Sequence, residues 1–378
     1  MKSALTPSSE LDTDLKLRMM RYFWSLGYFV RRNVPVVETT AAKSQYTDID
    51  VLGVKLDQEF NSCYALCDCK SGITDGTRER LFWLSGVMKY FGANRGVFIR
   101  TQMIPKKYMD LAERLGIITI AADQIDELER SYSIDVHKFV GPFGREYVKA
   151  DTILNSLRQQ DRGILEYLRT RYWGDPPYLQ TFSLMNKCKD LLLIQNVDED
   201  NRVFQVAYAL SMLSLSVVRF ARQVLFMPQT DREEVISLGL LGGRTDYLEK
   251  KELMRNFYDF MATEIEKRYK SKYPVSQKAF TENLIPGYAK YLADLMFGIC
   301  RQPQAALTLP RMIDLLAYES VLRDGSVSGK DVLGAEAGVS LEDAVRIAKD
   351  FLTFAKRSGV TNAYVEHVLE EAFKRITA

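Results

Sequence analysis

The sequence predicts an α/β N-terminal domain, with a mixed sheet flanked by helices, followed by an all-α C-terminal region. Up to about residue 121, segments with helical spacing alternate with short β-branched runs. Beyond about residue 125 the strand patterns fade and helical spacing continues. With 378 residues, 47% of them hydrophobic and 26% charged, the chain is long enough for two or three domains with proper cores.

The first third of the chain contains both kinds of element in alternation. Helical spacing from Leu11 to Leu26 predicts a first helix that ends at Gly27. The elements predicted after it are strands over Tyr28–Val37, Asp48–Leu56 and Tyr64–Lys70, a helix over Arg78–Phe91, a strand over Gly96–Arg100, a helix over Lys106–Leu115 and a strand over Ile117–Ala121. This order implies a mixed sheet with helices packed against it.

The remaining two thirds of the chain are predicted to be helical. Gly, Pro and Asp clusters separate segments with helical period over Ile153–Tyr172, Tyr178–Ile194, Val203–Leu225, Tyr247–Tyr269, Ala279–Phe297 and Leu341–Lys356. We therefore expect an α/β domain over residues 1–130 and a helical domain over residues 151–378. Residues 131–150, which include the sequence GPFG at Gly141–Gly144, are the expected linker.

Charge and histidine content exclude several classes of function. The net charge is only +2, which argues against a histone-like coat for nucleic acid. The chain has two histidines, His137 and His367, far apart in sequence. Zinc hydrolases with several His ligands and triads with a His base both need imidazoles, which this chain hardly has. Any catalysis is expected to depend on carboxylates, Lys or Cys.

Cysteine content and hydropathy predict a cytoplasmic protein without a membrane segment. The five cysteines are an odd and sparse set, and no basic segment followed by an apolar stretch comes after Met1. The most apolar stretch, Val203–Met227, is interrupted by polar residues such as Gln205 and Arg219, so we interpret it as a buried helix. Cys63, Cys67 and Cys69 are interpreted as core residues because no fourth ligand lies nearby.

Carboxylates and a lysine cluster on two consecutive predicted strands. Alternate residues of a strand share a face, so Asp68 and Lys70 point the same way. If the preceding strand pairs with this one as a hairpin, Asp50 approaches the same place. Two carboxylates and a strand carbonyl, that of Cys69, form a hard oxygen site suited to Mg²⁺ or Mn²⁺. Taken alone, the D-x-K pattern favours a solvated surface ion pair over a catalytic site, and only its context in the chain favours the site.

The order of these motifs resembles the PD-(D/E)xK nuclease superfamily, which has the restriction endonuclease-like fold. TDIDVLGV is similar to its first motif and CDCKSG to its second, and the resemblance covers about the first third of the chain. It implies that Asp50 and Asp68 are metal ligands and that Lys70 is the catalytic lysine. It further implies a metal-dependent nuclease acting on nucleic acid, with DNA favoured over RNA, in a bacterial or phage defence setting.

The sequence departs from the family pattern in two places. Many members carry a Glu on the first helix, where this chain has Lys16 with acidic residues nearby, and Asp14 is the candidate for a third acidic group. The second motif has Asp68 where Glu is commoner. Asp48 is either an additional ligand or only a carboxylate on the same strand face. The missing Glu supports an alternative, a catalytically inactive nuclease-fold scaffold or interaction protein.

Nucleic-acid contacts are expected from the helix that follows the second motif. Arg78, Arg80 and Lys89 lie along it, and the resemblance implies phosphate contacts from this helix, although a solvated face is the simpler interpretation. The helical domain is expected to position nucleic acid, to sense a signal, or to mediate assembly with another copy or a partner protein. Besides the nuclease and the inactive scaffold, a third possible function is a helical DNA-binding regulator that uses Ala317–Phe351 as a helix-turn-helix.

Overall fold

The computed structural model of the chain describes most of its residues. The described residues are 7–37, 45–71, 76–132, 147–274, 276–277, 284–322, 329–330 and 338–377. The predicted GPFG segment, His137 and most of the expected linker lie outside them.

A mixed sheet of five strands occupies the N-terminal part of the chain, as predicted. Its strands are β1 (Phe29–Val37), β2 (Gln45–Leu56), β3 (Ser62–Lys70), β4 (Arg95–Arg100) and β5 (Ile117–Ala121), in that spatial order. The first three strands are antiparallel, whereas β3, β4 and β5 are parallel. The helices of this part are α1 (Pro7–Ser25), α2 (Thr77–Phe91), α3 (Lys106–Arg114) and α4 (Ala122–Ser131).

Local sequence signals explain how these elements begin and end. Gly27, with a φ of 89°, ends α1 in the left-handed conformation that glycine adopts at low cost. The hairpin between β2 and β3 is closed by Asp57, whose carboxylate accepts hydrogen bonds from the backbone N–H groups of Glu59 and Asn61 at 2.9 and 2.8 Å. The tight turn brings the far ends of β2 and β3, which carry the polar motifs, into register.

The C-terminal region is mostly helical, in agreement with the prediction. Its helices are α5 (Tyr147–Gln160), α6 (Arg162–Glu166), which continues through a π-helical turn (Tyr167–Arg171) into α7 (Tyr172–Gly174), α8 (Pro177–Leu193), α9 (Glu199–Ala221), α10 (Gln229–Gly239), α11 (Arg244–Tyr269), α12 (Ala289–Arg301), α13 (Pro303–Leu322), α14 (Leu341–Arg357) and α15 (Ala363–Thr377). Helix α9 lies at the centre and packs against α8 and α13. The segment Glu199–Val224 is the one described helical stretch apolar enough to cross a membrane, but 94% of its most apolar window is buried inside the protein. The prediction of a buried helix is therefore confirmed.

A buried ion pair joins the sheet to the helical region. Arg31 on β1 donates to both carboxylate oxygens of Asp314 on α13, at 3.0 and 2.8 Å, and to the hydroxyl of Ser211 on α9 at 2.8 Å. Its guanidinium also lies over the rings of Phe29 and Tyr208, at 4.0 and 4.5 Å from their centres. Burial raises the pKa of Asp314, while the charge of Arg31 opposes that shift. The edge strand β1 is thus tied to the helical region by the side chain of Arg31.

We expect removal of one partner of this pair to destabilise the fold strongly. Asp314→Ala leaves the Arg31 charge buried and unpaired, which should lower the free energy of unfolding by about 3–5 kcal/mol in urea denaturation. The double variant Arg31→Met, Asp314→Leu should recover much of the loss. Lys356→Ala, which removes an exposed ion pair with Glu366, serves as the control and should unfold like the wild type. A wild-type midpoint for Asp314→Ala would contradict this role of the pair.

Candidate active site

Three polar residues, Asn33, Asp50 and Asp68, occupy neighbouring positions on β1, β2 and β3. The ladder between β2 and β3 pairs Val51 with Cys67, so Asp50 and Asp68 are the residues next beyond that pair. The ladder between β1 and β2 keeps the same register on both sides of Asn33, which places Asn33 across from Asp50. The convergence of the two acidic motifs that the sequence predicts is therefore present in the sheet.

Asp50 has both of its carboxylate oxygens engaged. The side chain is buried, with 8% of its surface exposed. Its Oδ2 accepts a hydrogen bond from the backbone N–H of Cys69 at 2.7 Å, and its Oδ1 lies 2.8 Å from Nζ of Lys16. The first contact fixes the carboxylate against the strand that carries the second motif, and the second contact balances its charge.

Lys16 reaches this carboxylate from α1. Its Nζ lies 2.8 Å from Oδ2 of Asp12 and 2.8 Å from Oδ1 of Asp50, and it donates to Oδ1 of Asn33 at 3.1 Å. An ammonium has three N–H groups, so each of them has an acceptor. Burial lowers the pKa of Lys16, but the charges of Asp50 and Asp12 outweigh burial and hold the pKa above its ordinary value. Lys16 is therefore a fixed positive charge beside Asp50.

Asp68 is fully buried and is held by a side chain from α2. Arg80 donates from Nε to Oδ2 of Asp68 at 2.9 Å and from Nη2 to Oδ1, so the contact is bidentate. The guanidinium also lies over the ring of Trp83, 4.0 Å from its centre. Burial raises the pKa of Asp68, and Arg80 and Lys70 oppose that shift with their charges. The second acidic motif is thus charge-compensated in the same way as the first.

Lys70, the last residue of β3, is more open to solvent than Lys16 and Arg80. Its Nζ lies 3.5 Å from Oδ1 of Asp68, and 39% of its side chain is exposed. Asp50, Asp68 and Lys70 are therefore brought together on the neighbouring strands β2 and β3, as the sequence predicts. The described part of the chain contains no group of three or more His, Cys, Asp or Glu side chains that could hold a metal ion. A metal here would depend on two carboxylates, backbone oxygen and water.

The remaining candidate residues lie at different distances from this cluster. Asp48 is exposed on β2, and its charge acts on Arg80. Asp14 is exposed on α1, and its charge acts on Arg21. Arg78 is exposed in the first turn of α2 and forms an ion pair with its neighbour Glu79 at 2.7 Å.

Lys89 lies at the other end of the same helix. It is exposed in the last turn of α2, about 16 Å along the helix axis from Arg78 at 1.5 Å per residue. Of the three basic residues predicted to contact nucleic acid, Arg80 is in the cluster and Arg78 is at the same end of α2.

Three residues of the site were not predicted from sequence as members of it. Lys16 and Asp12 are four residues apart on α1, a spacing that places them on one helix face. Asn33 interrupts a β-branched run, and its φ of 50° is in the left-handed region, which Asn tolerates better than most residues. The helix spacing and the polar interruption were the available signals, but neither indicates that the three side chains meet.

Two of the three cysteines on β3 are core residues, as predicted, whereas Cys63 is not part of the core. Cys67 and Cys69 are buried, with their sulfur atoms 3.7 Å apart. Burial raises the pKa of both thiols, so they are neutral at physiological pH. Cys63 is half-buried and free.

Comparisons with known proteins identify no relative. No protein-family model, curated protein or solved structure matches the chain. The resemblance to PD-(D/E)xK nucleases depends on the two motifs and on the arrangement of the elements around them.

Loss of the Arg80 guanidinium should destabilise the protein through Asp68. Arg80→Met leaves a fully buried carboxylate with Lys70, 3.5 Å away and partly exposed, as its remaining cation, and we expect urea denaturation to show a loss of about 1–3 kcal/mol. Arg80→Lys should recover only part of this, since an ammonium does not form the bidentate contact. Arg78→Met, two residues away on the same helix but exposed, is the matched control and should leave the midpoint unchanged. Equal midpoints for the two Met variants would refute the structural role of Arg80.

Proposed function

We propose that the chain is a metal-dependent nuclease with a restriction endonuclease-like active site, which hydrolyses phosphodiester bonds of nucleic acid and favours DNA. The observation that carries this proposal is that Asp50 and Asp68 occupy neighbouring positions on the adjacent strands β2 and β3. The ammonium of Lys70 lies beside Asp68 at the end of β3. The order of α1, three strands and α2 around these residues supports the resemblance to the restriction endonuclease-like fold.

The donor set fits a hard divalent cation. Carboxylate oxygens of Asp50 and Asp68 and the backbone carbonyl of Cys69 are the kinds of ligand that Mg²⁺ and Mn²⁺ prefer. Both carboxylates are buried and each is in contact with a cationic side chain, so a bound ion would share these oxygens with Lys16 and Arg80. When bound, the ion would supply stabilisation of negative charge on the phosphate and a water molecule with a lowered pKa.

The basic residues of the site have distinct roles in this proposal. Lys70, partly exposed beside Asp68, would orient the attacking water and offset the charge that develops on the phosphate oxygens. Arg80 holds Asp68 in position through its bidentate contact. Arg78 is in the first turn of α2, where the backbone N–H groups of a helix also favour an anion, so it would bind a phosphate of the substrate.

A second candidate function is favoured by one observation. Lys16 and Arg80 already balance the charges of Asp50 and Asp68, so the two carboxylates have partners without any metal. Such a site is compatible with a nuclease-fold protein that has lost cleavage and serves as a scaffold or interaction protein. Metal binding and cleavage separate the two candidates.

Replacement of Lys70 tests the nuclease directly. Lys70→Ala removes the ammonium at the open edge of the site, and we expect cleavage in Mg²⁺ or Mn²⁺ to fall by about 100-fold or more. Nicking of supercoiled plasmid, together with cleavage of labelled DNA and RNA oligonucleotides, would measure the loss and identify the substrate. Lys290→Ala, an exposed lysine on α12, is the control and should cleave normally. Undiminished cleavage by folded Lys70→Ala would exclude the proposed mechanism.

Metal binding distinguishes an active nuclease from an inactive scaffold. Titration calorimetry should show that the wild-type protein binds Mn²⁺ and that Asp68→Asn binds it about tenfold or more weakly, because a charged ligand is lost. Asp110→Asn, which changes an exposed carboxylate of α3, should bind Mn²⁺ like the wild type. A wild-type protein that neither binds Mn²⁺ nor cleaves nucleic acid would favour the scaffold.

A further inference from the structure

The ammonium of Lys16 lies at a point where three oxygen atoms converge. Oδ2 of Asp12, Oδ1 of Asn33 and Oδ1 of Asp50 are 2.8, 3.1 and 2.8 Å from its Nζ. The three oxygens come from α1, β1 and β2, so three separate elements build the position. Two carboxylates and an amide oxygen are also the donors that bind a hard divalent cation. The position is therefore a cation site of the fold, and a side chain of the same chain fills it.

The surroundings of Lys16 differ from those of an ordinary surface ion pair. Only 12% of its side chain is exposed, and all three N–H groups of the ammonium have acceptors. The backbone of Asn33, at a φ of 50°, departs from the extended conformation to carry one of these acceptors. The ammonium and the Asp50 carboxylate are thus shielded from water, in contrast to exposed pairs, while Asn33 and part of Asp12 face solvent.

The other two cations of the cluster, Arg80 and Lys70, are more exposed to solvent than Lys16. Arg80 contacts a single carboxylate, that of Asp68, and 31% of its side chain is exposed. Lys70, on the same side, is 39% exposed. Solvent therefore reaches Arg80 more easily than Lys16. The two acidic motifs differ in this respect, since the cation beside Asp50 is more buried than the cation beside Asp68.

We propose that Lys16 is a built-in cation of the active site, which fills the position formed by Asp12, Asn33 and Asp50 and limits the site to one divalent ion per chain. Binding of one divalent ion beside Lys16 rests on the proposed nuclease function. The filling of a cation position by Lys16 follows from its own three contacts alone. In this arrangement Lys16 is a positioning residue, because it acts on the substrate through Asp50.

Removal of the Lys16 side chain should open the position to metal. Titration of the full-length protein with Mn²⁺, followed by calorimetry and by electron paramagnetic resonance, would count bound ions per chain. We expect one ion for the wild type and two for Lys16→Ala. The additional ion should be lost again in the double variant Lys16→Ala, Asp12→Asn, which removes one charged oxygen from the position. Lys16→Arg, which retains a cation, should bind the same number of ions as the wild type.

The outcome for Lys16 can be separated from the outcome for the nuclease. If the wild type binds no Mn²⁺ and cleaves nothing, the proposed function fails, yet a gain of one ion in Lys16→Ala still supports a cation position filled by Lys16. An unchanged number of ions in folded Lys16→Ala overturns the inference, whatever the activity. Should Lys16→Ala fail to fold in metal-free buffer, Mn²⁺ is expected to restore cooperative thermal unfolding, and no restoration overturns the inference as well.

Discussion

The rest of the site depends on one constraint, which is that the carboxylates of Asp50 and Asp68 are buried at neighbouring positions of β2 and β3. Two like charges that are neighbours and are shielded from water are unfavourable unless cations approach them closely. Lys16 from α1 and Arg80 from α2 provide that compensation, and each contact also ties a helix to the sheet. The helices that flank the acidic motifs are thus positioned by the charges they balance as well as by their apolar faces.

Strand β1 connects this site to the helical region. Arg31 on β1 extends into the interior of the helices to Asp314, and Asn33, two residues further along, extends to Lys16. In a regular strand two such residues would share a face. Asn33 departs from the regular strand in its backbone, with a φ of 50°. The same short strand therefore carries one contact that fixes the helical region and another that completes the polar cluster, so a displacement of β1 would affect both.

The parts of the fold that sequence predicts well are those set by local periodicity. Alternation along β2 and β3 is enough to bring Asp50, Asp68 and Lys70 together once the two strands pair as a hairpin. The contact between Arg31 and Asp314 joins residues 283 positions apart, and no local pattern indicates it. No local pattern indicates the contacts of Lys16 either, because its three acceptors come from three elements whose relative placement is a result of tertiary packing. Periodicity gives the face of each element, but not which charges on different elements meet.

The balance of charges in the cluster has a consequence for the proposed chemistry. Asp12, Asp50 and Asp68 are matched by Lys16, Lys70 and Arg80, so the described cluster is neutral before any ligand binds. In a nuclease built on this site, a divalent cation alone would add positive charge in a partly buried place, which weakens its binding. The phosphates of a nucleic acid supply compensating negative charge. Because binding free energies are reciprocal, metal and substrate would then each strengthen the binding of the other.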